Sequence, residues 1–141
     1  MKKYFTQILA LIIIIACNNT TSKKEEFAQT TELNIVKNHQ KILQLDNVSL
    51  LKVKAWKEYQ LVNDQLKKYK SISANEALNN AIELAKSIKQ LKDSIRPKEL
   101  INNSFRTRVN VLENEALRLK DMTLIKNAIS SKEINKQVEK R

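Results

Sequence analysis

The chain has 141 residues, a formal net charge of +11, no glycine, one proline and one cysteine. Hairpin turns that need positive φ, and Gly-rich phosphate loops, both depend on glycine, so β architectures and nucleotide-binding folds are disfavoured. A single thiol excludes an intramolecular disulfide and any multi-cysteine metal site.

Lys2 and Lys3 precede an apolar stretch dominated by Ile8 to Ile15, which small Ala16 closes. A basic start, an apolar middle and a small residue before a cut are the parts of an export signal. A permanent membrane span needs about 20 apolar residues, whereas Phe5 to Ala16 offers twelve positions, two of them the polar Thr6 and Gln7. The closing segment Ile14-Ile15-Ala16-Cys17 resembles the lipobox of bacterial lipoprotein precursors. That resemblance implies diacylglycerol on the Cys17 sulfur, cleavage just before it, and acylation of the new amino group by a fatty chain such as palmitate. At about 0.8 kcal/mol per buried methylene, two or three such chains hold a protein on a bilayer. The membrane is therefore the first expected partner, reached through lipid. Asn18 stands where enterobacterial lipoproteins kept at the inner membrane carry aspartate, so the resemblance implies an outer-membrane address in the cell envelope, facing the periplasm.

Asn18 to Gln29 is polar and lacks a sustained apolar stripe, as expected of a tether. A flexible chain of roughly 15 residues reaches about 20 Å. The expected division is a signal peptide at 1–16, a lipidated N-terminus and tether at 17–31, a helical domain at 32–129 and a polar C-terminal tail at 130–141.

Losing Lys2 and Lys3 with the signal lowers the formal charge by two, from +11 to +9. Attraction to anionic headgroups, envelope polymers or an acidic partner is one reading of this balance. The other is composition: 21 Lys, 15 Asn and 15 Ile are what an AT-rich coding sequence tends to produce, and the lysines alternate with Glu and Asp along every helix. Nucleic acid is not an expected partner, because export removes the chain from it and no base-stacking or groove-reading module is visible.

From about Leu33 to Tyr69 the apolar positions Leu45, Val48, Leu51, Ala55, Tyr59, Val62, Leu66 and Tyr69 recur at intervals of three and four, predicting one face of a long helix. Asp46-Asn47 is a potential interruption, which makes Val48 the secure start. Ser71-Ile72-Ser73 reads as a joint, and Ser73 with Glu76 fits a capping box that opens a second helix. Its seam is Ala74, Leu78, Ala81, Ala85, Ile88, Leu91 and Ile95, and Pro97 ends it near Arg96. A third helix is predicted from Pro97 or Lys98 to about Ala128, with Ile101, Phe105, Leu112, Ala116, Leu119 and Met122 as its face. Ser130 to Glu133 can cap a further turn or two, and the polar stretch from Asn135 to Arg141 is expected to fray. Short joints force successive helices antiparallel. The predicted class is all-α, either an antiparallel up-down-up three-helix bundle or an elongated helical hairpin with a third helix alongside. Its thin apolar seam leaves room for a homo-oligomer or an envelope protein partner to cover an exposed stripe.

Candidate functional side chains are few. His39, between Asn38 and Gln40, reads as solvated. Glu113 and Glu115 are two apart and point to different faces of their helix, and with Asp121 they form no carboxylate or metal site without a second helix. No catalytic residue, metal or cofactor is therefore expected. Arg108 falls beside the predicted seam between Phe105 and Leu112, where it can snorkel, pair with Glu115 or Glu83, or meet a partner. Trp56, near Tyr59, either covers the seam edge or anchors a binding surface. The sequons at Asn47 and Asn102 carry no weight in a bacterial lipoprotein. The block from Phe105 to Met122, with Asp93 to Arg96 before it, resembles small uncharacterised helical lipoproteins of Bacteroidetes-type bacteria, a resemblance that brings no activity with it. The expected role is a lipid-anchored, non-enzymatic scaffold or interaction protein of the envelope. The alternatives are a periplasmic holdase-like or substrate-binding module, or a binder of anionic envelope lipid or polymer.

Overall fold

Asp46, read in the sequence as part of a potential interruption, is a helix N-cap. Its carboxylate accepts from the Ser49 amide at 2.9 Å and from the Ser49 hydroxyl at 2.8 Å, satisfying donors that a helix start otherwise leaves open. In the computed structural model, which describes residues 31–39 and 45–140, that helix is α1, Asn47–Val53. The chain divides into two units, Met1–Thr31 and Glu32–Arg141, and the strands and helices named here belong to the second.

The long helix expected over 33–69 is in fact two. Trp56 takes an extended backbone, φ −88° and ψ 96°, and α2 begins behind it at Lys57–Lys68. The break turns the apolar face of α2 away from that of α1. Val53, Trp56, Val62 and Tyr69 are buried, with Tyr59 and Leu66 partly covered, whereas Val48 and Leu51 stay in solvent. Three- and four-residue spacing continues through the break, so periodicity alone cannot register it.

The joint after α2 is a short strand. β2, Ser71–Ser73, pairs antiparallel with β1, Val36–Asn38, in the register Val36↔Ser73, Lys37↔Ile72 and Asn38↔Ser71. Leu33 and Ile72 are both in the core, so the ladder clips the start of the domain onto the bundle.

α3, Ala74–Asp93, is the central helix, and α2, α4 and α5 all pack on it. Alanines 74, 77, 81 and 85 are buried beside Leu78, Leu84, Ile88 and Leu91, and their small side chains let three neighbours approach one helix. Ser73 Oγ accepts from the Glu76 amide at 3.2 Å, the forward half of the predicted box. The helix stops at Asp93, so Ile95 lies outside its seam and in solvent.

A 3-10 turn at Lys98–Leu100 leads to α4, Asn103–Asp121, which the Asn102 side chain caps by accepting from the Phe105 amide at 2.8 Å. Its buried positions are Val109, Ala116 and Leu119, with Phe105, Leu112 and Met122 packed at the margin. The helix predicted to reach Ala128 gives way at a 3-10 turn, Met122–Ile125. Contacts of α3 with α4 and with the segment just after it run in reverse order, Lys92 with Glu113 and Asn75 with Lys126, so the two helices are antiparallel. α2 and α3 are antiparallel too, joined by Trp56 to Ser94 at one end and Tyr69 to Ala77 at the other. The class is all-α, as expected, with one two-stranded ladder among the described residues.

The polar tail expected at 130–141 is instead a folded helix, α5, Ser131–Glu139. Here the capping box is complete: Ser130 Oγ accepts from the Glu133 amide at 3.3 Å, and the Glu133 carboxylate accepts from the Ser130 amide at 3.0 Å. Ile134 and Val138, one turn apart, join the core with Ile129. Two apolar side chains in a polar stretch make a narrow stripe that reads as fraying until a groove between α3 and α4 is there to receive it. No described residue has positive φ, so the fold asks nothing that only glycine can supply.

Candidate functional site

Trp56 sits where α2 begins, α3 ends and α4 begins. Its indole is buried and Nε1 donates to Ser94 Oγ at 2.8 Å, while that hydroxyl donates to the Leu91 carbonyl at 2.8 Å. The ring stacks on Tyr59 at 6.0 Å between centroids and leans on Phe105 at 5.8 Å. Burial pushes the Tyr59 phenol above its ordinary range. Arg96 lies over the Phe105 face, 5.8 Å from the centroid, and donates to the Lys92 carbonyl at 3.1 Å.

Outside this buried junction the surface changes character. Ile95 is 97% exposed and Ile101 67% exposed, although both were expected on helix seams. With Arg96, Arg106 and Asn102 they line an open depression of about 440 Å³. A second depression of about 310 Å³ lies between Lys52, Lys57 and Pro97 and shares Ile95 and Arg96 with the first. Large aliphatic side chains in water beside two guanidinium groups suit a surface that is apolar at its centre and anionic around it. The cause is local: between Asp93 and Asn103 the chain turns through Pro97, and side chains in a turn have no neighbouring helix to bury them.

Arg108 is not on the seam. It is exposed, and Val109 takes the buried position one residue on. Among the described residues Arg108 pairs with neither Glu115 nor Glu83, and Glu115 has other partners. Its carboxylate accepts from Gln137 Nε2 at 2.8 Å and from Arg118 Nη1 at 2.8 Å, and the same Gln137 amide donates to the Glu115 carbonyl at 3.0 Å. The Gln137 hydrogen bond, followed by the Arg118 and Lys140 charges, holds the Glu115 carboxyl below its usual range despite partial burial. Glu113 faces the other way, onto Lys92 at 2.6 Å, in keeping with two residues two apart on a helix.

Glu115 therefore fastens α5 to α4, and acid should loosen it. Its folded pKa is depressed, so the stabilisation is present above the ordinary glutamate range and is lost as pH falls below that range through the lowered value. The Ser130 side chain and backbone hydrogen bonds depress Glu133 in the same direction. Protection of the α5 amides, measured against intrinsic exchange rates, should consequently be lost in mild acid before that of α3, and Glu115→Gln should remove the share of that pH dependence that Glu133 does not carry. Equal loss of protection in both helices would refute this.

His39 is not solvated: its imidazole is 4% exposed, with Nδ1 3.5 Å from a Glu139 oxygen. Neither ring nitrogen finds a hydrogen-bond partner among the described residues. Its backbone amide donates to the Lys70 carbonyl at 2.9 Å, extending the β1–β2 pairing. That pairing carries His39 inward, and nothing in Asn38-His39-Gln40 signals it. Cys17 and the rest of residues 1–30 lie outside the described residues. Among the described residues no three His, Cys, Asp or Glu side chains converge as a metal site. No helix in the same set is long and apolar enough to cross a membrane. Compared with protein-family models, curated proteins and solved structures, the chain matches none of them.

Proposed function

We propose that this is a lipid-anchored protein of the bacterial cell envelope with a non-enzymatic scaffolding role, and that it meets an envelope protein partner through the rim around Ile95 and Ile101. The lipobox-like Ile14 to Cys17 segment supports the anchor. The rim supports the role: two exposed isoleucines stand beside Arg96 and Arg106, at the end of α3 remote from where the chain enters the domain. α3 has 20 residues, and at 1.5 Å per residue it separates those ends by about 30 Å.

A photo-crosslinking residue at position 95 or 101, introduced in cells at native abundance, should trap a discrete envelope protein. Arg96→Glu with Arg106→Glu should abolish that adduct while leaving the helical circular dichroism unchanged. Adducts no more frequent than from exposed Lys86 would remove the support for the rim. A second reading, contact with anionic envelope lipid or polymer, is favoured by the groove of about 680 Å³ between α2 and α3, which Lys57, Lys86 and Lys89 line together with Glu58 and Asp93. Affinity falling steeply with salt distinguishes it from the apolar rim.

A further inference from the structure

Resting on the lipid-anchor reading, we propose that the opposite end of the domain is a membrane-seating surface, in which Ile35, Val36, Leu124 and Ile125 enter the headgroup region of the bilayer that holds the Cys17 lipid. One side chain organises this end. Asn75, in the first turn of α3, donates to Asn34 Oδ1 at 2.8 Å and accepts from Lys126 Nζ at 2.6 Å. It thereby fastens the segment by which the chain enters the fold to the segment that follows α4. Leu33 is buried, so the entry point is pinned to the core. On either side of this pin the aliphatic residues are in solvent: Ile35 and Val36 after Asn34, and Leu124, 84% exposed, with Ile125 before Lys126.

Chain length selects the occupant. Cys17 to Glu32 spans at most about 50 Å even fully extended, so acyl chains on Cys17 hold the entry segment within that distance of the headgroups. Tethering raises the effective concentration of the bilayer at the patch, and a contact too weak to bind membrane unaided then suffices. Charge adds little. Lys37, Lys120 and Lys126 are matched in number by exposed Glu32, Glu76 and Asp121 on the segments of this end, so aliphatic insertion carries the contact and salt should leave it intact.

The test uses the full-length lipidated protein, purified and reconstituted in phosphatidylcholine–phosphatidylglycerol vesicles. Cys17 is the sole cysteine and its sulfur is occupied by lipid, so Leu124→Cys supplies one free thiol for an environment-sensitive fluorophore. Ile35→Cys serves as an independent second site and Ile101→Cys as the far-end control. Labels at 124 and 35 should show blue-shifted emission and be quenched by nitroxide-bearing lipid, unchanged in high salt, while the label at 101 stays water-exposed. Adding Ile125→Asp should reduce the quenching at 124 severalfold. Equal water exposure at all three sites in lipidated protein overturns the seating surface alone. So does a signal at 124 that depends on protein density, which marks contact with a second copy. A mass spectrum showing an unmodified Cys17 overturns the anchor itself and the seating surface with it.

Discussion

Trp56→Ala should lower the unfolding free energy by about 3–5 kcal/mol, the usual cost of emptying a buried aromatic site. The site is severe because one indole serves three helices. It covers the start of α2, reaches the end of α3 through Ser94 at 2.8 Å, and packs on Phe105 of α4 at 5.8 Å. Trp56→Phe keeps most of the ring and loses the donor. Ser94 retains its bond to the Leu91 carbonyl, so the lost hydrogen bond itself should cost only about 0.5–1.5 kcal/mol. Urea unfolding followed by far-ultraviolet circular dichroism measures both, since the only tryptophan is the residue being changed. An alanine variant within about 1 kcal/mol of wild type, when a buried aromatic normally costs several, would mean that the three-helix junction is not held by this ring.

Ile134→Asp should be at least as damaging and should act through the C-terminal helix. Ile134 is fully buried. Its truncation to alanine is expected to cost about 2–5 kcal/mol, and aspartate adds the desolvation of an unpaired carboxylate. Removing everything after Ile129 should go further, uncovering the faces of α3 and α4 that α5 packs against and stripping Gln137 from Glu115. Hydrogen exchange gives the decisive reading: in the truncated chain α3 and α4 should lose protection. Should the truncated chain unfold at the same urea concentration with α3 and α4 still protected, α5 would be an appendage and not part of the core.

The two predictions differ in how visible they were. Trp56 stands out in the sequence as a lone tryptophan one turn from Tyr59, and covering a seam edge is one of the two roles open to such a residue. Its partner Ser94 did not stand out, because a serine before a proline turn has no periodic signature. Ile134 and Val138 were present as an i, i+4 pair, but Lys132, Lys136 and Lys140 around them made the stretch read as polar. A pair of apolar residues specifies a helix only when another surface waits to cover it. Arg108 shows the converse error. A helix face drawn through Ile101, Phe105 and Leu112 put the guanidinium beside the seam, whereas the true face steps from Phe105 to Val109 and leaves both Ile101 and Arg108 outside.

Local chemistry in the chain determined the all-α class, the Asp46, Ser73 and Ser130 starts, the end of α3 before Pro97 and the alanine-lined face of α3. Each depends on residues within a turn or two of one another, so spacing reveals them. Tertiary structure alone decided the break at Trp56, the β1–β2 clip, the burial of His39, the folding of α5 and the exposure of Ile95 and Leu124. Those outcomes depend on which surface lies opposite a side chain, and hydrophobic spacing records that a residue can be buried without recording whether a neighbour arrives to bury it.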